Sequence, residues 1–236
     1  MPGLEKMDDF FAARVDGYDD HMRTNIEGAS RFYAYTASLL PREPGCRVLD
    51  LGCGTGLELE EYFALNPQAA ITGIDLSDDM LNALKAKFPD KDLTLIHASY
   101  FDTPLGEKKY DAAVSVESLH HFPAEIKTSL YEKLHAALKE NGVFVLTDYF
   151  AESEEREKEY FRNLAEMTRA QGLSDDTFYH YDTPLLVDHE MEILRRAGFR
   201  NVRILKKWGE STYTVIAHAL ESTARTSASA DKDYVR

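Results

Sequence analysis

Cysteine is scarce in this chain: the 236 residues hold two, Cys46 and Cys53. As extended chain they lie ~23 Å apart, far past the ~7 Å between Cα atoms that a disulfide tolerates. A reduced, cytoplasmic protein is therefore expected. Long apolar runs are missing too. Nothing approaches the ~18 apolar residues of a membrane span, and the N-terminus lacks the apolar stretch of a signal peptide, so no membrane partner is expected. Basic charge is in deficit, with 27 Lys and Arg against 41 Asp and Glu and a formal net charge of −14. With no Lys/Arg run, such a chain repels phosphate backbones, which disfavours nucleic acid as a substrate. No internal repeat is present. What is there is a 44% hydrophobic fraction, enough for a substantial core, in a length that suits one α/β domain with a small cap.

Directly after Cys46 runs Arg47, Val48, Leu49, Asp50, Leu51, Gly52, Cys53, Gly54, Thr55, Gly56. The apolar residues 48–51 read as a strand covered on both faces. Three alternate glycines follow, and a helical pattern starts at Leu57. Glycine lets backbone approach a ligand closely, and the helix start aims unpaired N–H groups at the same spot. A dinucleotide fingerprint needs glycine where Leu57 stands, and a phosphate-cradling loop needs a terminal Gly-Lys-Ser/Thr. Neither fits. The order Asp-x-Gly-x-Gly-x-Gly resembles motif I of the class I S-adenosylmethionine-dependent methyltransferases.

Further strands are expected at residues 70–75, 93–97, 110–116 and 142–150, separated by helical patterns, with a hairpin at 199–208 and 211–219 around Gly209. Ser77 caps the helix whose apolar face is Met80, Leu81, Leu84 and Phe88. Pro123 opens another, which Asn141 and Gly142 are expected to close. The resemblance implies a doubly wound, mostly parallel seven-stranded α/β sheet of order 3-2-1-4-5-7-6, its last strand antiparallel, with helices on both faces. Residues 1–44 would form a helical lid, 45–220 the cofactor-binding domain with a cap insertion at about 151–185, and 221–236 a disordered tail.

The implied cofactor is S-adenosylmethionine, with S-adenosylhomocysteine as product. Asp75 ends the second strand some nineteen residues past Gly56, where a carboxylate can receive both ribose hydroxyls. Leu76, Met80 and Val116 are expected beside it. Ser99 stands where relatives place an acid for the adenine amino group, and a hydroxyl is the weaker acceptor. Tyr100 and Phe101 either stack on the base or pack in the core. Tyr18 and His21 are candidates for lid contacts. Tyr18, Asp50, Gly52, Gly54, Gly56 and His121 complete the expected cofactor site. His120 and His121 follow the fourth strand, and histidine can accept a substrate proton near neutral pH. Adjacent side chains point apart on a helix or strand, so His121 is assigned to the cofactor and His120 to the acceptor.

In the expected cap, Phe161, Leu164 and Met167 form the buried side of a charged helix that carries Glu152–Arg156 and Glu154–Lys158 pairs. His120, Tyr149 and His180 are the candidate bases. His180, Asp182, His189 and Glu190 fit no metal spacing, and no metal is expected. The expected function is methyl transfer to a small molecule by in-line displacement. The rivals are an RNA methyltransferase, a non-methyl user of the same cofactor such as a carboxy-S-adenosylmethionine synthase, and a cofactor-binding module without catalysis.

Overall fold

The computed structural model describes residues 3–174 and 177–220. The expected tail, 221–236, lies outside the described residues. Seven strands form one sheet of order β3-β2-β1-β4-β5-β7-β6. They are β1 (Arg47–Leu51), β2 (Ala70–Asp75), β3 (Asp92–His97), β4 (Tyr110–Val116), β5 (Leu138–Tyr149), β6 (Arg200–Trp208) and β7 (Thr212–His218). Neighbours from β3 to β5 pair in parallel, and β7 runs antiparallel to both β5 and β6. The order and direction agree with the sequence expectation. Because β1 leads to β2 on one side while β4 lies on the other, a crevice opens beyond their carboxyl ends.

Side-chain alternation along each strand divides the core in two. Leu49, Leu51, Ala113, Phe144 and Leu146 face one layer with α6 (Ala124–Ala137) and α8 (Val187–Arg196). Val48, Ala112, Val114 and Val145 face the other, with α3 (Ala29–Ser38) and α4 (Leu57–Leu65). Asp50 shares the second face with Val48 and so points beneath α4, toward Glu58. Burying each large apolar side chain contributes roughly 1.5–3 kcal/mol. The cap at Ser77, which accepts from the Met80 amide at 3.3 Å, forms as expected, and Gly198, with φ 108°, follows the end of α8. The remaining helices are α1 (Met7–Ala12), α2 (Val15–Asn25), α5 (Asp78–Lys87) and α7 (Glu154–Gln171).

The N-terminal region is helical as expected, in three helices, and Gly28 turns left-handed with φ 83° between α2 and α3. Three local expectations are corrected. Helix α6 ends at Ala137 rather than at Asn141–Gly142. Leu138 already pairs with Tyr110, and the register shifts before Ala112, so Lys139–Asn141 bulge outward within β5. No residue of α7 is buried; Phe161 is half-buried against the core, and the helix covers the domain without entering it. Arg156 pairs with Glu159 instead of Glu152, one turn along the same exposed face, while Glu154–Lys158 does form.

Candidate active site

Gly52 ends β1 with φ 72°, and a Cβ there would stand 2.0 Å from Ser118 Oγ. Only glycine allows the loop after β1 to pass the loop after β4 at this distance. The Gly54 N–H donates to Asp75 Oδ2 at 2.8 Å and the Ser77 N–H to Oδ1 at 2.9 Å. The carboxylate is thereby fixed at the mouth of the glycine loop with lone pairs to spare. Burial pushes its pKa up, against those two amides. From the other side, Thr55 Oγ1 donates to Asp19, which also takes Lys87 at 2.6 Å. This holds α2 over the loop, with Tyr18 against Gly54.

Two cavities adjoin here. The smaller, 50 Å³, is walled by Gly52, Gly54, Asp75, Leu76, Met80 and Tyr100 and roofed by Met7, Phe11 and Tyr18. The larger, 880 Å³, is lined by Phe10, Arg14, Met22, His120, Tyr149, His180, Asp182 and Trp208, among others. Phe11, Tyr18, Glu117 and His121 wall both.

A cluster of ionisable groups sits at that junction. His120 Nδ1 lies 2.6 Å from Asp148 Oδ1, and Asp148 Oδ2 accepts from the Leu119 amide at 2.9 Å. Burial opposes charge on His120, yet the attraction and hydrogen bonds of Asp148 and Asp182 push its pKa well up. Burial and the charge of His120 push His121 down. Asp182 is half-exposed; partial burial opposes its charge, but hydrogen bonds from His120 and His121 hold it well below the usual carboxylate range. Glu117 adopts φ 50°, a strained conformation for a residue with a side chain. Burial, then repulsion from Asp148, pushes its carboxyl up to about 8. The His180 ring stacks on Phe10 at 3.4 Å between centroids, and burial lowers its pKa to about 4. Burial and Tyr160, whose hydroxyl lies 2.9 Å away, push Tyr149 up.

Residues 48–142 match the methyltransferase domain family. An uncharacterized methyltransferase of Synechocystis sp. is 33% identical over 125 residues, which is 52% of this chain and 57% of that protein. A carboxy-S-adenosyl-L-methionine synthase of Campylobacter concisus is 26% identical over 212 residues, 86% of each. The structure of human N-acetylserotonin methyltransferase in complex with S-adenosylmethionine superposes with a TM-score of 0.62 at 20% identity, covering 91% of this chain and 57% of that one. The chain thus contains a methyltransferase-domain match and shares the fold of such enzymes, and it spans about half the length of the first curated relatives it matches.

Of the expected cofactor residues, Tyr18, Gly52, Gly54, Asp75, Leu76, Met80, Tyr100 and His121 come together around the smaller cavity. His21, His120, Tyr149 and His180 line the larger. Five expected cofactor residues line neither. Asp50 is wholly buried below the loop, its carboxyl oxygens unbonded. Burial and Glu58 push it well up. Gly56 packs on Leu84, which a Cβ would approach to 3.2 Å. Ser99 turns its hydroxyl back to the Phe101 amide at 3.2 Å, and Phe101 packs among Tyr100, Phe122 and Phe178. Val116 stays in the core.

The two histidines are a correction, because both line the larger cavity. They lie on a 3-10 turn, Leu119–His121, and their ring centroids are 4.0 Å apart. The tight turn lets neighbours converge where a strand would send them apart. His189 and Glu190 are elsewhere: His189 pairs with Glu157 at 2.9 Å, and Glu190 with buried Lys127 at 2.7 Å. Sequence reasoning missed Met7, Phe11, Glu117 and Ser118. For Glu117 and Ser118 a signal was present, since they directly follow β4 at the crevice.

Proposed function

We propose that this chain transfers a methyl group from S-adenosylmethionine to a small-molecule acceptor held in the 880 Å³ cavity. One observation carries the reading: the glycine-loop pocket and the larger cavity share Phe11, Tyr18, Glu117 and His121 as a common wall. Ligands in the two would meet there, which is what an in-line displacement needs. Bound cofactor supplies an electrophilic methyl on a sulfonium centre whose thioether leaves without an acid. Gly52 and Gly54 supply close backbone approach, and Asp75 supplies acceptors for the ribose hydroxyls. His120, oriented by Asp148, turns Nε2 toward the acceptor, with Tyr149 and His180 as further polar contacts. Residues 1–44 act as lid and 151–185 as cap, excluding water from the junction.

The net charge of −14 and acids in the cavity wall support a small acceptor over RNA. Two unpaired cysteines support a cytoplasmic setting, and among the described residues no helix is long and apolar enough to cross a membrane. Calorimetry should register one S-adenosylmethionine per chain, and incubation with metabolite extract should yield a product heavier by one methyl. Heat evolved with no such product across thiol, amine and phenol acceptors would favour a module that binds without catalysing. A second reading, non-methyl use of the cofactor, is supported by the full-length similarity to the carboxy-S-adenosyl-L-methionine synthase. The mass of any nucleoside ligand that copurifies separates the two.

A further inference from the structure

Three donor atoms converge where the turn after β4 meets the segment after α7. His120 Nε2 lies 3.5 Å from Asp182 Oδ1, and His121 Nδ1 lies 3.2 Å from the same oxygen. All three atoms fall within 4.8 Å of one another. Donors held about 2.0–2.1 Å from a tetrahedral zinc ion stand roughly 3.3 Å apart along each edge. The two edges to Asp182, 3.5 and 3.2 Å, match that spacing, and His121 Nδ1 also lies 3.3 Å from the Tyr181 carbonyl oxygen, which a bound cation would displace as its partner.

The surroundings also fit a cation. Asp148 grips His120 through Nδ1 and so turns Nε2 toward the triangle, and the Leu119 amide fixes Asp148 in turn. A carboxylate behind a ligating imidazole is the usual outer partner at such centres. The Thr183 N–H donates to the His120 carbonyl at 2.9 Å, which ties the Asp182 segment to the histidine turn. Both imidazoles are under one-tenth exposed. Asp148 adds a carboxylate directly beside His120.

We propose that His120, His121 and Asp182 bind one divalent cation of the zinc type, with a fourth position open to the larger cavity. Two imidazoles and one carboxylate with an open position are the donors of catalytic rather than structural zinc. Cys46 and Cys53 are outside the set, so this is no closed thiolate site. Sequence spacing argues against a metal at His180, Asp182, His189 and Glu190, and of those four only Asp182 belongs to this cluster. The open position would receive an oxygen of the acceptor and lower its pKa, selecting phenols, enols or hydroxy acids. The cation then takes the Nε2 lone pair, and acceptor activation passes from the imidazole to the metal. The site itself stands apart from the methyl-transfer reading; only the acceptor class rests on it.

The test is a Co2+ titration of the chelator-dialysed 236-residue chain, read by the visible d–d band of four-coordinate cobalt. One equivalent should bind and be displaced by Zn2+. Asp182→Asn should lose the band while far-UV circular dichroism is unchanged. Asp148→Asn should keep the band with affinity roughly 10- to 100-fold weaker. Wild-type protein without a band, or Asp182→Asn with wild-type affinity, overturns the site. Should the substitutions unfold the chain, X-ray absorption on the wild-type zinc form decides, with two imidazoles and oxygen donors expected and any other set overturning it. Calorimetry with S-adenosylmethionine runs on the same samples. Cofactor binding without cobalt binding sinks the cation site alone, and the reverse sinks the methyl-transfer reading alone.

Discussion

At Gly52 a single hydrogen atom decides whether two loops can pass. Gly52→Ala would drive a Cβ to 2.0 Å from Ser118 Oγ at φ 72°, where a side chain is strained anyway. We expect the folded variant to lose detectable S-adenosylmethionine binding by calorimetry; wild-type affinity would mean the loop is not the cofactor cradle. Asp50 makes a different prediction. Burial, together with Glu58, raises its pKa in the folded chain above the unfolded value. The folded state therefore keeps a proton that the unfolded state releases. Stability from this pair is fully present below the unfolded carboxyl pKa, ~4, and declines as pH rises toward the folded value. Asp50→Asn should raise the urea midpoint more at pH 8 than at pH 5, flattening the profile. Equal gains at both pH values would contradict it. Asp50 was legible as part of a motif, whereas its burial beneath α4 depends on a strand register that spacing does not reveal.

Helices α6 and α8 are joined by a buried ion pair. Lys127 Nζ lies 2.7 Å from Glu190 Oε2, both side chains 1% exposed, and Tyr131 donates to the other carboxylate oxygen. Removing one partner of such a pair leaves an uncompensated charge and costs about 3–5 kcal/mol. Glu190→Ala should show that loss in urea unfolding; a change well below it would mean water reaches Lys127. The sequence located the start of α6, because Pro123 and the apolar pattern that follows it are local properties. It misjudged the end of α6, since Leu138 leaves the helix to pair with Tyr110 across the sheet. It also misjudged α7, where half-buried apolar residues lie along a helix that sits on the surface.

Over the whole molecule, the N-terminal segment and the segment after α7 close on each other above the sheet's carboxyl edge. The Met7 N–H donates to Phe178 O at 3.0 Å, the His180 N–H to Glu5 O at 2.9 Å, and Phe10 stacks on His180. The glycine-loop pocket beneath is 50 Å³, against ~300 Å³ or more for small-molecule sites. Cofactor entry thus requires Met7 and Phe11 to draw back. Phe10→Ala should speed hydrogen exchange at the Met7 and His180 amides roughly tenfold, about 1.4 kcal/mol of local opening. The Gly52 and Ser77 amides should not respond. Uniform acceleration across the sheet would instead indicate global destabilisation.

The sequence alone determined the strand succession, the glycine loop and the acid that ends β2, because each is written in residues close along the chain. Tertiary structure decided what those residues face. It turned His120 and His121 into one cavity on a tight turn, and set Asp182 against both from more than sixty residues away. It also withdrew Asp50 and Ser99 from the ligand pockets. Chain spacing constrains neighbours, and convergence of distant segments is settled only when the sheet, its covering helices and the N-terminal segment pack together.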